Sequence, residues 1–137
     1  MNIAARNILT KEIFSAYAKV HNYFGPGLLE SVYELSLLKE FELRNIRAEG
    51  QVRFPIHYKG LRLEHDYTVD IVVEGEFMIM VRSLDPILSI HEAQLDSYMK
   101  MAKKELGFLL NFNGRLRDGF KQITRDSGSI LLPEYLN

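Results

Sequence analysis

Gln51-Val52-Arg53-Phe54-Pro55-Ile56-His57 is where the chain changes its period, and the reading of this stretch decides the fold. Val52, Phe54 and Ile56 alternate with Arg53, Pro55 and His57, the two-residue repeat of a strand with one buried face. Lys59-Gly60 supplies a turn, residues 61–73 resume strand character, and residues 77–81 are a short apolar run. Together these segments predict an antiparallel meander of three strands.

On the N-terminal side the period is helical. Ile13, Tyr17, Val20 and Phe24 step by four, three and four, which places them on one face of an amphipathic helix. Thr10 is its expected N-cap, and Gly25-Pro26-Gly27 its stop. A second helix is expected from near Leu28 to about Asn45, and its Leu29, Val32, Leu35, Leu38 and Phe41 make it apolar enough to be mostly buried.

On the C-terminal side, Ser89-Ile90-His91-Glu92 has the form of a capping box. It should open a helix running to about Lys104, with Lys100, Lys103 and Lys104 suited to the negative end of the dipole. Residues 106–112 read as a further apolar strand, Asn113-Gly114 as a hairpin signal, and a last strand is expected within residues 115–124. The predicted order is ααβββαββ, an α/β (α+β) fold with a mixed central sheet flanked by helices. Residues 1–125 form one domain, and 126–137 a C-terminal tail whose Ile130-Leu131-Leu132 is expected to dock on the body.

Composition narrows the function. The chain has 137 residues, 47% hydrophobic and 26% charged, as expected of one globular domain with its own core. It has no cysteine, which excludes a disulfide framework, a thiolate zinc site and a cysteine nucleophile. A formal charge of -1 means that any grip on a polyanion must come from a local basic patch or from bound metal ions. No apolar run is long enough to span a membrane, and Met1-Asn2-Ile3-Ala4-Ala5-Arg6 lacks the pattern of a signal peptide, so a cytoplasmic location is expected.

Gly27-Leu28-Leu29-Glu30-Ser31-Val32-Tyr33 is the most specific local string. Val20-His21, Phe24-Gly25-Pro26-Gly27, Tyr58-Lys59-Gly60, Asp70, His91-Glu92-Ala93-Gln94 and Asn111-Phe112 accompany it in order. Together they resemble the GxxExxY proteins, a bacterial and archaeal branch of the PD-(D/E)XK nuclease superfamily, over roughly residues 10 to 125. The resemblance implies a restriction-endonuclease-like core in which the second and third strands splay and present an Asp, then Glu-x-Lys, to Mg²⁺. Carboxylates hold the ion, which polarises the phosphate and lowers the pKa of bound water.

By that resemblance Glu30 is the helical glutamate, Asp70 the strand aspartate, and Gln94 and Tyr98 the Gln-x-x-x-Tyr of the following helix. The Glu-x-Lys positions hold Met80-Val81-Arg82 instead. Methionine offers Mg²⁺ no hard oxygen, and arginine lacks the compact ammonium of lysine. Arg82 reads equally as a catalytic cation or as the ion-pair partner of Asp70. Glu76 lies too far along the strand to replace the lost acid, roughly 13 Å from Met80, and Asp85 requires the loop to fold back. A site of Glu30, Asp70 and His91 would suit a transition metal better than Mg²⁺. Arg115, Arg117, Lys121 and Arg125 share one strand parity and form a candidate phosphate track, or else a solvated face.

The sequence therefore points to a nuclease-like protein that binds nucleic acid, DNA or RNA, with little or no cleavage. An active Mg²⁺-dependent phosphodiesterase with a relocated ligand is the alternative. A protein-interaction module is the second alternative, and a homodimer or another protein partner remains open.

Overall fold

The structure, a computed structural model, describes residues 1–85 and 89–125. Among these the order is α1 (Ile3–Phe24), α2 (Glu30–Leu43), β1 (Ala48–Tyr58), β2 (Leu61–Val73), β3 (Phe77–Arg82), α3 (Ser89–Ala102), β4 (Leu106–Asn111) and β5 (Phe120–Thr124), with a 3₁₀ turn at Arg117–Gly119. The strands lie side by side in chain order. Only β3 and β4 are parallel, and the other neighbours run antiparallel. The expected order ααβββαββ and the mixed, restriction-endonuclease-like sheet are both found.

Two cores sandwich the sheet. Ile13, Tyr17, Tyr33 and Phe41 of α1 and α2 pack against Phe77, Ile79 and Val81, whereas Leu95 and Met99 of α3 pack against Met78 and Met80. Strand alternation thus feeds both faces, which is why β3 and β4 read as unbroken apolar runs. Met80, the residue in the expected glutamate position, is 4% exposed and belongs to the α3-side core.

Local expectations were corrected in four places. Helix α1 begins a full two turns before Thr10: Asn2 caps it by accepting the Ala5 N–H at 2.8 Å, and the Thr10 hydroxyl donates to the Arg6 carbonyl from inside the helix. Helix α2 is not mostly buried, since Leu29, Leu35 and Leu43 are exposed. Asn113-Gly114 does not make a two-residue hairpin. Tyr17 Oη donates toward the Asn111 and Leu116 carbonyls and a His21 ring nitrogen bonds the Gly114 carbonyl, so tertiary contacts hold a longer connection open before β5 begins at Phe120. Ser89, expected as a cap, is already helical, and the residue before it lies outside the described residues, as does the tail 126–137.

Candidate functional site

Asp70 sits where β2 breaks its alternation. Tyr67 and Val69 pack on the α3 side, but Ile71 and Val73 pack on the side of α1 and α2. Regular pleating would put all four on one face, so the strand turns about its own axis at Asp70. Across the ladder, Gly50 pairs with Ile71 and Val52 with Val69, and Gln51 between them has φ 51°. Left-handed backbone in a non-glycine residue inside a strand marks an irregularity of the ladder. On the other side, the pairing of β2 with β3 ends at Ile71–Ile79. Asp70 therefore stands where β2 parts from β3, while β1 stays paired with β2 on either side of it.

Its carboxylate takes over the contacts that the ladder gives up. Asp70 Oδ2 accepts the Val81 N–H at 2.8 Å and Arg82 Nη1 at 3.0 Å. Both side chains of the ion pair keep only about a sixth of their exposure, 15% for Asp70 and 17% for Arg82. The guanidinium continues the chain of contacts: Nη1 also donates to the Val81 carbonyl, and Nη2 to Gln94 Oε1 at 3.2 Å. Gln94 Nε2 in turn donates to Tyr98 Oη at 3.2 Å. The Tyr98 ring stacks on Tyr67 with centroids 4.5 Å apart, which ties this end of the network to the core.

Glu30 joins from the first turn of α2, where a carboxylate suits the positive end of the dipole. Its Oε2 accepts the Ser83 N–H at 3.0 Å, so it fastens the chain just after β3. Asn111 fastens the next residue from both sides, accepting the Leu84 N–H and donating to the Leu84 carbonyl. Tyr33, the tyrosine of the Gly27–Tyr33 string, is fully buried and stacked on Phe112 at 4.2 Å; its hydroxyl donates to the Gly25 carbonyl and accepts the Leu28 N–H. It clips the turn that delivers Glu30.

Two residues that the sequence reading did not single out complete the group. Glu34 lies one turn beyond Glu30 on α2 and accepts a hydrogen bond from Gln51 Nε2, which also reaches Asp70 Oδ1 at 3.5 Å. Burial holds the Glu34 carboxyl above the usual range. The charge of Asp70 adds to the shift, the Gln51 hydrogen bond opposes it, and Glu30 and Arg82 contribute less in opposite directions. The i, i+4 spacing from Glu30 was the available signal for Glu34. For Gln51 it was the place directly across from Asp70.

Other candidates lie apart. Glu76 pairs with Arg6 and the N-terminal amine at the opposite end of β3. Among the described residues no three His, Asp or Glu side chains are grouped to hold a metal. The basic stripe is not a strand face: Arg115 and Arg117 precede β5, and Arg125 follows it. Lys121 pairs with Glu92 and Arg125 with Asp96, each at 2.8 Å, while Arg115 and Arg117 are exposed.

With Asp70 bonded to Arg82, Arg82 to Gln94, and Glu30 fastening Ser83 just beyond β3, comparison with known families becomes decisive. A sequence model of the PD-(D/E)XK nuclease superfamily matches residues 7–123. The chain belongs to the PD-(D/E)XK nuclease superfamily. No curated protein and no solved structure matches it. The superfamily match runs from α1 to β5 and so contains every residue of the Asp70 network.

Proposed function

We propose that this PD-(D/E)XK protein, of the GxxExxY branch, binds nucleic acid with little or no cleavage. The observation that carries the reading is the guanidinium of Arg82, seated between Asp70 and Gln94. A divalent ion needs several hard oxygens. Here one Asp70 oxygen is engaged by Arg82 and by a backbone N–H, one Glu30 oxygen by Ser83, and Met80 contributes only a buried thioether. That donor set does not fit Mg²⁺, and no step is routed through one. Exposed Arg115 and Arg117 are the cations offered to a phosphate backbone; Lys121 would first have to leave Glu92. Among the described residues no helix is long and apolar enough to cross a membrane, and a cytoplasmic location is part of the proposal.

The test uses labelled single- and double-stranded DNA and RNA with Mg²⁺ or Mn²⁺. Salt-dependent binding without metal-dependent cleavage is expected. Turnover that vanishes in Asp70→Ala overturns the reading, and an absence of binding at low salt selects the protein-interaction module instead. A double variant, Met80→Glu with Arg82→Lys, restores a carboxylate and an ammonium. It should gain thermal stability on adding Mn²⁺, whereas the natural protein should not.

A second reading, an active phosphodiesterase, has one observation in its favour: Glu34 brings a further carboxyl to Asp70. Cleavage abolished by Glu34→Gln as well as by Asp70→Ala would select it, ahead of His91 or Asp85 as the relocated group.

A further inference from the structure

The connection from β4 to β5, residues 112–119, contains no strand, yet α1 holds it at several points. It leaves the sheet beside Arg82: Asn111 is the register partner of Arg82, and the Phe112 N–H donates to the Arg82 carbonyl at 2.9 Å. The Phe112 ring is fully buried, edge-on to Tyr17 and 6.1 Å from His21. Further along, His21 Nε2 bonds the Gly114 carbonyl at 2.9 Å, and Tyr17 Oη bonds the Asn111 carbonyl at 2.7 Å and the Leu116 carbonyl at 3.1 Å. A carbonyl can only accept, so His21 carries a proton on Nε2. Burial, with the charge of Asp118 adding to it, holds the Tyr17 hydroxyl above its usual range, so it stays a donor. Gly119 closes the connection. A Cβ there would collide with the Asn111 carbonyl oxygen and with Tyr17 Oη.

We propose that Tyr17 and His21 are positioning residues for phosphate binding: they fix the backbone of Gly114 and Leu116 so that Arg115 and Arg117 meet a nucleic acid as a preformed pair. This rests on the nucleic-acid-binding reading above. The two carbonyls that α1 holds belong to the residues directly before the two arginines, and both arginines are exposed. A loop without these bonds would have to order its backbone and two long side chains on meeting phosphate, and that ordering subtracts from affinity. A loop already held has less to order. Tyr17 and His21 also fill the core with their rings, but a core role asks for no donor at these places. Their donors instead go to the connection that carries the arginines and to the Asn111 carbonyl at its start.

The test pairs binding with limited trypsin digestion, which cuts after arginine and reports the loop directly. His21→Leu keeps the bulk and cannot donate; Tyr17→Phe loses only the hydroxyl. Each should weaken binding of the labelled DNA or RNA oligonucleotide that the natural protein holds best by about ten-fold at low salt, well below the melting temperature. Each should also speed cleavage after Arg115 and Arg117. His21→Gln, whose amide can donate from nearly the same place, should restore both. In a protein that already carries Arg115→Ala and Arg117→Ala, adding His21→Leu should weaken binding no further, which a general loss of structure would not reproduce. Unchanged binding with faster cleavage overturns the proposal and leaves the nucleic-acid reading standing. So do additive losses, or cleavage that His21→Leu and Tyr17→Phe leave unaltered. A natural protein that binds none of the oligonucleotides removes the reading, and this proposal with it.

Discussion

Asp66 and Asp70 stand four residues apart on β2, each with little side-chain exposure and each beside arginine, yet they are held in opposite ways. Asp66 meets Arg62 at 2.8 Å and Arg53 at 3.5 Å, and those arginines are 55% and 74% exposed. Asp70 meets one arginine that is 17% exposed, together with the N–H of Val81. Water solvates the cations around Asp66 and screens the pair, so it contributes little. Around Asp70 the cation is shielded as well, and removing either partner leaves the other without a counter-charge. Distance alone does not separate the two aspartates; the solvation of their partners does.

The sharpest way to break this comparison is to remove each carboxylate. Asp70→Ala should cost about 2–4 kcal/mol in urea unfolding, somewhat below the range for fully buried pairs because both partners keep some exposure. Asp66→Ala should cost less than about 1 kcal/mol. Double-mutant cycles pairing Asp70 with Arg82 and Asp66 with Arg62 isolate the couplings. Equal couplings would mean that the strand splay gives Asp70 no special environment.

A smaller effect is expected from keeping the charge and changing its shape. Arg82→Lys preserves the counter-ion but cannot reach Asp70, the Val81 carbonyl and Gln94 together, so it should cost about 1 kcal/mol. Arg62→Lys should be silent within the error of the measurement. If Arg82→Lys is also silent, the fork contributes nothing beyond its charge, and the contact with Gln94 is incidental.

Much of the fold was legible because the apolar period changes sharply near Gln51, and both periods are strong on either side of it. The bounds of β2 follow from sequence, and so does the placing of Glu30, Asp70, Arg82 and Gln94 in one group, since family spacing carries them. What stayed hidden depends on features with no local signal. Gln51 stands across from Asp70, but its left-handed backbone has no mark in the sequence. The shared strand parity of the basic residues failed because tertiary bonds from Tyr17 and His21 hold residues 112–119 out of the sheet, which leaves Arg115 and Arg117 before β5. Thr10 was mistaken for a cap because the apolar repeat starts at Ile13, while the helix itself starts where Asn2 supplies the first acceptor.

The smallest expected effect uses a third acid to sharpen the contrast between the two aspartates. Glu34 has no arginine bonded to it; it has burial, the neighbouring charge of Asp70 and an amide donor from Gln51. Its carboxyl is raised in the folded protein, so the folded state favours its protonated form. That contribution is fully present below the unfolded value of 4.5 and is lost as pH rises through the higher folded value. At neutral pH an ionised Glu34 therefore works against folding, although its partial exposure keeps the effect small. Glu34→Gln removes the charge and keeps an oxygen to accept from Gln51. The variant should melt slightly above the natural protein at neutral pH, and the two should converge below about pH 4.5. The difference between the melting curves reports this carboxyl together with its coupling to the neighbouring charges. A gap that is constant across that range would show that Glu34 is not strained by burial and by Asp70. A gap of the opposite sign would show that the charge of Glu34 stabilises the fold.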